Sequence, residues 1–341
     1  MIKRALRLNC DTFPSTEDER RRYEEANVEI TSLEQISDST PLADYDALLV
    51  VSAKVRRETI ARLDRCQVIG RYGTGTDNID VEEATRRGIV VTNVKDFCLS
   101  EMADHTMALI LALTRRLFDM DECIRTGQWH ARVRVPVHRL AGKTLGFIGF
   151  GATARAVAHR AHSFDLRMVA YKPGLDPGIA ERFHVDSVDL DTLLSASDFV
   201  SLHVPLTPQT RKMIGEREFR LMKPEACFIN TARGGIVEEG ALVRALAEGW
   251  IAGAGIDVYD SLAVFDANPQ MIDHPLFHLK NVILTPHSGG CSVEALNDVK
   301  REAVQQVISV LNGEWPSNVV NPRVTPRYTL SGRSQQEADD R

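Results

Sequence analysis

With 341 residues, 43% of them hydrophobic and 26% charged, the chain is long enough for two cores and ordinary in composition for a globular protein. A net charge of −6, carried by interleaved acids and bases, leaves no electrostatic footprint for nucleic acid, and no run approaches the roughly 18 to 20 apolar residues of a membrane span. The six cysteines stand singly, without disulfide or zinc spacing; no His/Cys/carboxylate cluster has metal spacing either, and a cytoplasmic location is expected.

Residues 47–51 and 67–72 read as buried strands, and the charged run Glu17–Glu25 as a helix between an earlier strand and a later one. That is βαβ rhythm. A helical pattern then runs from about 100 to 126, opening with Ser100 before Glu101 and carrying MALILALTRRL at helical spacing. His105 on this helix reads as packing. A loop with Trp129, His130, Pro136 and His138 follows. A second series begins at Lys143: TLGFIGF as strand, 152–163 as helix, LRMVAY as strand, then DFVSLHV, ACFIN, WIAGAGIDV and NVILTP. A last helix covers about 292–312. The segment 326–341 lacks apolar content and reads as a disordered tail. The fold class expected is α/β.

Gly149, Gly151 and Ala154 form G-x-G-x-x-A at a strand-to-helix junction. There the first glycine permits a tight turn, the second lets the backbone approach a pyrophosphate, and the small third residue lets helix pack on strand. The helix N-terminus then faces the phosphate charge. An acidic residue is expected about 20 positions on, to accept the ribose 2′-OH hydrogen bond. Lys172 stands there instead. It suits the 2′-phosphate of NADP, or is a solvated lysine beside an NAD site, so NAD and NADP both stay open.

The segments GRYGTGTDNID (70–80), SLHVPLTPQT (201–210), NTARGGIVEEGAL (230–242), GIDVY (255–259) and TPHSGG (285–290), together with the glycine motif, resemble the D-2-hydroxyacid dehydrogenase family. The stretch NVKDFCLSEMADHTMALILAL is similar to the branch holding phosphoglycerate dehydrogenase-like enzymes and the C-terminal-binding-protein corepressors. The resemblance implies two Rossmann-like, doubly wound parallel-sheet domains. A discontinuous substrate domain (1–99 and 288–325) would flank an inserted dinucleotide domain (100–287), with the active site in the cleft and hinges near 99 and 288.

The resemblance also implies roles residue by residue. Arg233 would clamp the carboxylate of a small acid substrate, a task suited to a planar, permanently charged fork. His287 would give or take the hydroxyl proton. The loop of Thr74, Gly75 and Thr76 would meet the substrate carboxylate; Ser52, on an N-terminal loop that the shared motifs do not determine, is a candidate to meet the substrate side chain. Ala152, Thr153, His203, Val204, Pro205, Thr210, Thr231, Ala232 and Asp257 would line the cofactor groove beside His287, His203 fixing a loop rather than doing chemistry. A homodimer through the cofactor domain is implied, with Trp129, His130 and His138 on its loop. The departure is at Leu262, where the family places the glutamate that hydrogen-bonds the catalytic histidine; Asp260 is a candidate substitute. Without such a partner, His287 would titrate near the ordinary value of about 6.5, which disfavours keto-acid reduction more than oxidation. The expected activity is NAD(P)-dependent interconversion of a 2-hydroxy acid and its 2-keto acid. Redox-neutral elimination on the same scaffold and a cofactor-sensing binding protein are the alternatives.

Overall fold

The computed structural model describes residues 2–130, 136–262, 264–265 and 272–332. Their buried strand residues fall into two parallel sheets, each in its own compact unit. One unit is drawn chiefly from Met1–Phe97 and Ser292–Arg341, the other chiefly from Cys98–Val264.

In the first unit the strands are β1 (Lys3–Arg7), β2 (Val28–Ser32), β3 (Ala47–Val50), β4 (Val68–Arg71) and β5 (Val90–Thr92), in the order β2-β1-β3-β4-β5. Apolar residues such as ALLV, buried on both faces, mark strands sandwiched between helices. The late helix Val293–Leu311, capped by the Ser292 side chain accepting from Ala295 N–H (2.9 Å), belongs to this unit. Its face of Val299, Ala303, Val304 and Val307 joins the cluster formed by Leu49, Val68 and Val90.

The second unit holds β6 (Thr144–Ile148), β7 (Arg167–Tyr171), β8 (Val185–Ser187), β9 (Phe199–Leu202), β10 (Cys227–Asn230), β11 (Gly253–Ile256) and β12 (Val282–Leu284). Their order is β12-β11-β10-β9-β6-β7-β8. Two apolar clusters fill this unit. One takes Leu193, Phe219, Ala241 and Leu242 from the helices Leu190–Ala196, Glu216–Leu221 and Glu239–Ala247. The other takes Met107 and Ile110 from the helix Leu99–Arg115 and Val157 and Ala161 from the helix Ala152–His162. The chain reverses direction across the sheet between β6 and β9, which is the switch point where such sheets bind ligands.

Two expectations are corrected. The helix expected over 100–126 is broken: Leu99–Arg115 ends at Arg116, whose left-handed backbone (φ 51°) starts a separate helix, Leu117–Arg125, with no buried residue. Once the apolar face loses a core to cover, packing no longer holds the helix straight. The tail expected to begin at 326 is ordered as far as 332. Arg327 donates its N–H to Gly88 O (3.0 Å) and its guanidinium to Leu63 O (2.8 Å), and Trp315 N–H donates to Ser331 O (2.7 Å). Backbone capping of this kind leaves no apolar pattern in the sequence. Residues 333–341 lie outside the described residues.

Candidate active site

Parallel register builds the site. Ile148 pairs with Leu202, Leu202 with Asn230, Asn230 with Ile256, and Ile256 with Leu284. The residues that follow, Gly149, His203, Thr231, Asp257 and Thr285, therefore form a row along the carboxyl edge of one sheet, spaced about 4.8 Å per strand. Arg233 and His287 each lie three positions past the end of their strands, on β10 and β12, which are separated by β11 alone and hence by about 10 Å.

At the β6 end of the row, Gly149 adopts φ 88°. A Cβ there would lie 2.6 Å from His203 O, so no side chain fits. A Cβ at Gly151, by contrast, would meet nothing within 4 Å. That position opens the turn to whatever approaches the N-terminus of the helix Ala152–His162, which has no side-chain cap. Ala154 is fully buried and packs in the core, whereas Ala152 and Thr153 are half-buried at the first turn. A turn with a positive-φ glycine, an open second glycine and uncapped N–H groups fits a dinucleotide pyrophosphate.

Next in the row, the His203 ring packs 5.7 Å from the Phe147 ring, and its Nε2 lies 2.9 Å from Ser201 Oγ. Burial holds the imidazole neutral, pushing its pKa down to about 4. Past Val204 and Pro205, Thr210 Oγ1 donates to Pro205 O (2.6 Å) and closes that loop. The Thr231 hydroxyl faces inward, 3.3 Å from Thr106 Oγ1 and 3% exposed, so its contribution to the groove is backbone.

Arg233 owes its place to Asn230 and Gly234. Asn230, 1% exposed, accepts the Ala232 N–H at Oδ1 (3.0 Å) and donates Nδ2 to Arg233 O (3.0 Å). A Cβ at Gly234 would sit 2.0 Å from the Tyr259 carbonyl carbon, so the two loops lie flush only because position 234 is glycine. Arg233 Nη1 also donates to Ala232 O (2.7 Å).

His287 sits on a turn organised by Asp257. Its backbone is left-handed (φ 55°), and its N–H donates to Asp257 O (2.8 Å). The Asp257 carboxylate, 1% exposed, accepts from Thr285 Oγ1 (2.6 Å), Ser288 N–H (2.9 Å) and Gly289 N–H (2.9 Å). His105 Nε2 lies 3.1 Å from Thr285 Oγ1 and 3.6 Å from Asp257 Oδ1, so His105 belongs to this polar cluster rather than to plain packing.

Leu262 is half-buried and carries no carboxylate. Asp260 does not replace one: among the described residues its carboxylate meets Arg211 at 4.0 Å, is 41% exposed, and makes no bond to His287. A strand-end neighbour two positions away points elsewhere. Sequence reasoning missed the clip beside it. Glu239 accepts from Asp260 N–H (3.1 Å), and His274 Nε2 lies 3.0 Å from Glu239 Oε1 and 3.1 Å from Ser261 Oγ. His274 Nδ1 accepts the Leu276 N–H (3.2 Å), which fixes the tautomer that donates to Glu239.

In the other unit, Asn9 (φ 62°, 4% exposed) gathers the N–H groups of Val51, Ser52 and Ala53 on Oδ1 at 3.0 to 3.1 Å and donates to Ser52 Oγ (3.1 Å). Ser52 thus presents no spare N–H. The loop after β4 differs. Asn93 Nδ2 holds Thr74 O (2.6 Å) and Thr74 Oγ1 donates to Val94 O (2.9 Å), while the N–H groups of Thr74, Gly75 and Thr76 meet no acceptor among the described residues.

A cavity of about 470 Å³ opens at the opposite, amino-terminal edge of the second sheet, lined by Leu113, Phe118, Lys143, Phe199, Cys227 and Ile283 among others. It touches none of the row described above. Phe118 (65% exposed) adjoins Leu117 (54%) and Ile124 (55%) on the helix Leu117–Arg125, and Trp129 beyond it is 68% exposed.

Comparison with known proteins places this geometry. Residues 107–289 match the model of the D-isomer specific 2-hydroxyacid dehydrogenase NAD-binding domain. A glyoxylate reductase of Thermococcus litoralis is 42% identical over 289 residues, covering 82% of this chain and 85% of the relative. A D-lactate dehydrogenase from Aquifex aeolicus, solved with NAD and lactic acid, superposes with a TM-score of 0.82 at 26% identity, covering 91% of this chain and 96% of its own. An acyclic imino acid reductase solved with NADPH and D-Arg also gives 0.82 at 26% identity, covering 93% and 99%.

Proposed function

Since this chain belongs to the D-isomer-specific 2-hydroxyacid dehydrogenase family and is an oxidoreductase acting on CH–OH donors with a nicotinamide cofactor, we propose that it reduces a small 2-keto acid of the glyoxylate class to its 2-hydroxy acid. The bound nicotinamide supplies the hydride. The carrying observation is the in-register row that sets Arg233 and His287 three positions past the ends of β10 and β12, which flank β11, on the same carboxyl edge as the glycine turn.

Arg233 binds the substrate carboxylate through a charge-assisted pair and orients the carbonyl. His287 delivers a proton to the carbonyl oxygen as it becomes a hydroxyl, and the Asp257-held turn keeps the imidazole in place between turnovers. In the first unit, the N–H groups of Thr74, Gly75 and Thr76, which meet no acceptor among the described residues, are donors suited to a carboxylate. We also infer a homodimer through the cofactor unit. The exposed Phe118 is shared by the apolar helix and the amino-edge cavity, which makes them one continuous face for a second copy.

The test is oxidation of reduced cofactor with glyoxylate and related 2-keto acids. Arg233→Lys should lose about 2–3 kcal/mol of transition-state binding, roughly 30- to 150-fold in kcat/KM, by giving up a two-pronged charged bond. Silence with both cofactors in both directions, or product formation without net cofactor oxidation, overturns the reading.

A further inference from the structure

We propose that the cofactor site favours NADP(H) over NAD(H), with Lys172 recognising the 2′-phosphate; this rests on the glycine turn being the cofactor site. Ile148 pairs with Tyr171, and Gly149 N–H donates to Tyr171 O (2.9 Å), so the pyrophosphate turn is bonded to the end of β7. The next residue is Lys172, exposed to solvent. The residue at that strand end meets the adenosine ribose in dinucleotide folds.

A free 2′-OH needs an acceptor there, and a lysine ammonium has three donors and no acceptor. Among the described residues the carboxylates beside Lys172 are already engaged: Asp189, level with it on the β8 side, accepts from Thr192 N–H (2.8 Å) and Thr192 Oγ1 (2.8 Å). Asp176, the nearest acid along the chain, caps the helix Pro177–Arg182 by accepting Ile179 N–H at Oδ1 (3.0 Å). The tight turn between them, with Leu175 N–H donating to Lys172 O (3.1 Å) and Gly174 at φ 66°, leaves Lys172 at its entrance.

Lys172 has no ion-pair partner among the described residues, and the same holds for Arg155, whose Nε donates to Gly151 O (3.2 Å) and so lies against the turn. Two cations without acids flank the turn. A 2′-phosphate adds about −1.5 to −2 of charge and three acceptor oxygens, which gives Lys172 a charged partner, whereas a 2′-OH offers it only a neutral oxygen.

Fluorescence titration of the whole protein with NADPH and with NADH tests this without turnover. A charge-assisted bond of this kind predicts NADPH binding roughly ten- to a hundredfold tighter. Adenosine 2′,5′-bisphosphate should compete better than AMP by a similar factor. Lys172→Asp, at an exposed site that costs little stability, should reverse the preference, and Lys172→Ala should abolish it. Equal affinities in the wild type, tighter NADH binding, or an unchanged ratio in Lys172→Asp overturns the proposal while leaving the dehydrogenase reading intact. Binding of neither cofactor overturns that reading, and this proposal with it.

Discussion

Replacing Asp257 with alanine asks whether a single carboxylate holds the turn that presents His287. Three donors lose their acceptor: Thr285 Oγ1, Ser288 N–H and Gly289 N–H, at 2.6, 2.9 and 2.9 Å. Each bond to a charged acceptor is worth about 1.5–3 kcal/mol. The sum is not additive, because Thr285 and Ser288 are half-buried and water can reach them, whereas Gly289 is buried. We expect a net loss of about 3–5 kcal/mol, the range for removing one partner of a buried charged network. The catalytic effect is smaller in free energy but measured separately, since displacing an acid/base by about 1 Å costs on the order of a hundredfold, roughly 2.7 kcal/mol. Asp257→Asn keeps an acceptor oxygen and should fall between. Denaturant unfolding and steady-state kinetics decide. The expected pattern is lower stability with a drop in kcat, and little change in cofactor KM. A folded Asp257→Ala protein with wild-type kcat and stability but a raised cofactor KM would refute the positioning argument and return Asp257 to the role of a direct cofactor contact.

Three further outcomes are expected. His203 titrates in the fold near 4, below the ordinary imidazole value, so the unfolded chain binds more protons between about pH 6.5 and 4. Stability from this group is complete above about pH 6.5 and falls on acidification through that window by up to about 3 kcal/mol. His203→Gln should flatten that part of the stability profile, and parallel profiles would sink the claim. Leu262→Glu should move the limb of the reduction rate that reports His287 protonation upward by about one pH unit, less than the roughly three units of a fully buried pair because position 262 is half-buried; an unmoved limb means that position 262 does not face the imidazole. In sedimentation the wild type should run as a dimer and Phe118→Asp as a monomer, while a monomeric wild type would dismiss the apolar face as an interface.

The long buried strands and the glycine turn were legible because they repeat a physical period or a forced conformation. The row of strand ends follows from them. Short elements were not: β5 and β8, three residues each, are too brief for alternation to register. The break at Arg116 went unread because left-handed helix ends are normally marked by glycine or asparagine, and an arginine gives no such mark. Asn9, Asn230 and the Glu239–His274 clip were invisible for a different reason. A lone polar residue at the end of an apolar run looks like a solvated loop until its backbone partners are known. For Asn230 the available signal was asparagine directly closing a buried strand, where local hydrogen bonding to the following turn is a known alternative to solvation.

Asn9, Asn230 and Asp257 share one solution. Each is buried (4%, 1% and 1% exposed), each sits at or just past the carboxyl end of a parallel strand, and each uses side-chain oxygens to collect backbone N–H groups from a loop carrying a candidate ligand residue. Such loops cannot be fixed by apolar packing, because their outer side must remain polar to meet an anionic substrate or cofactor. Burying one polar side chain beneath the loop satisfies N–H groups that would otherwise cost about 1–3 kcal/mol apiece, and it rigidifies the backbone from below while leaving the upper face open. The placement of Arg233 and His287 therefore depends on two buried side chains, and substitutions at Asn230 or Asp257 should disturb catalysis even where Arg233 and His287 are intact.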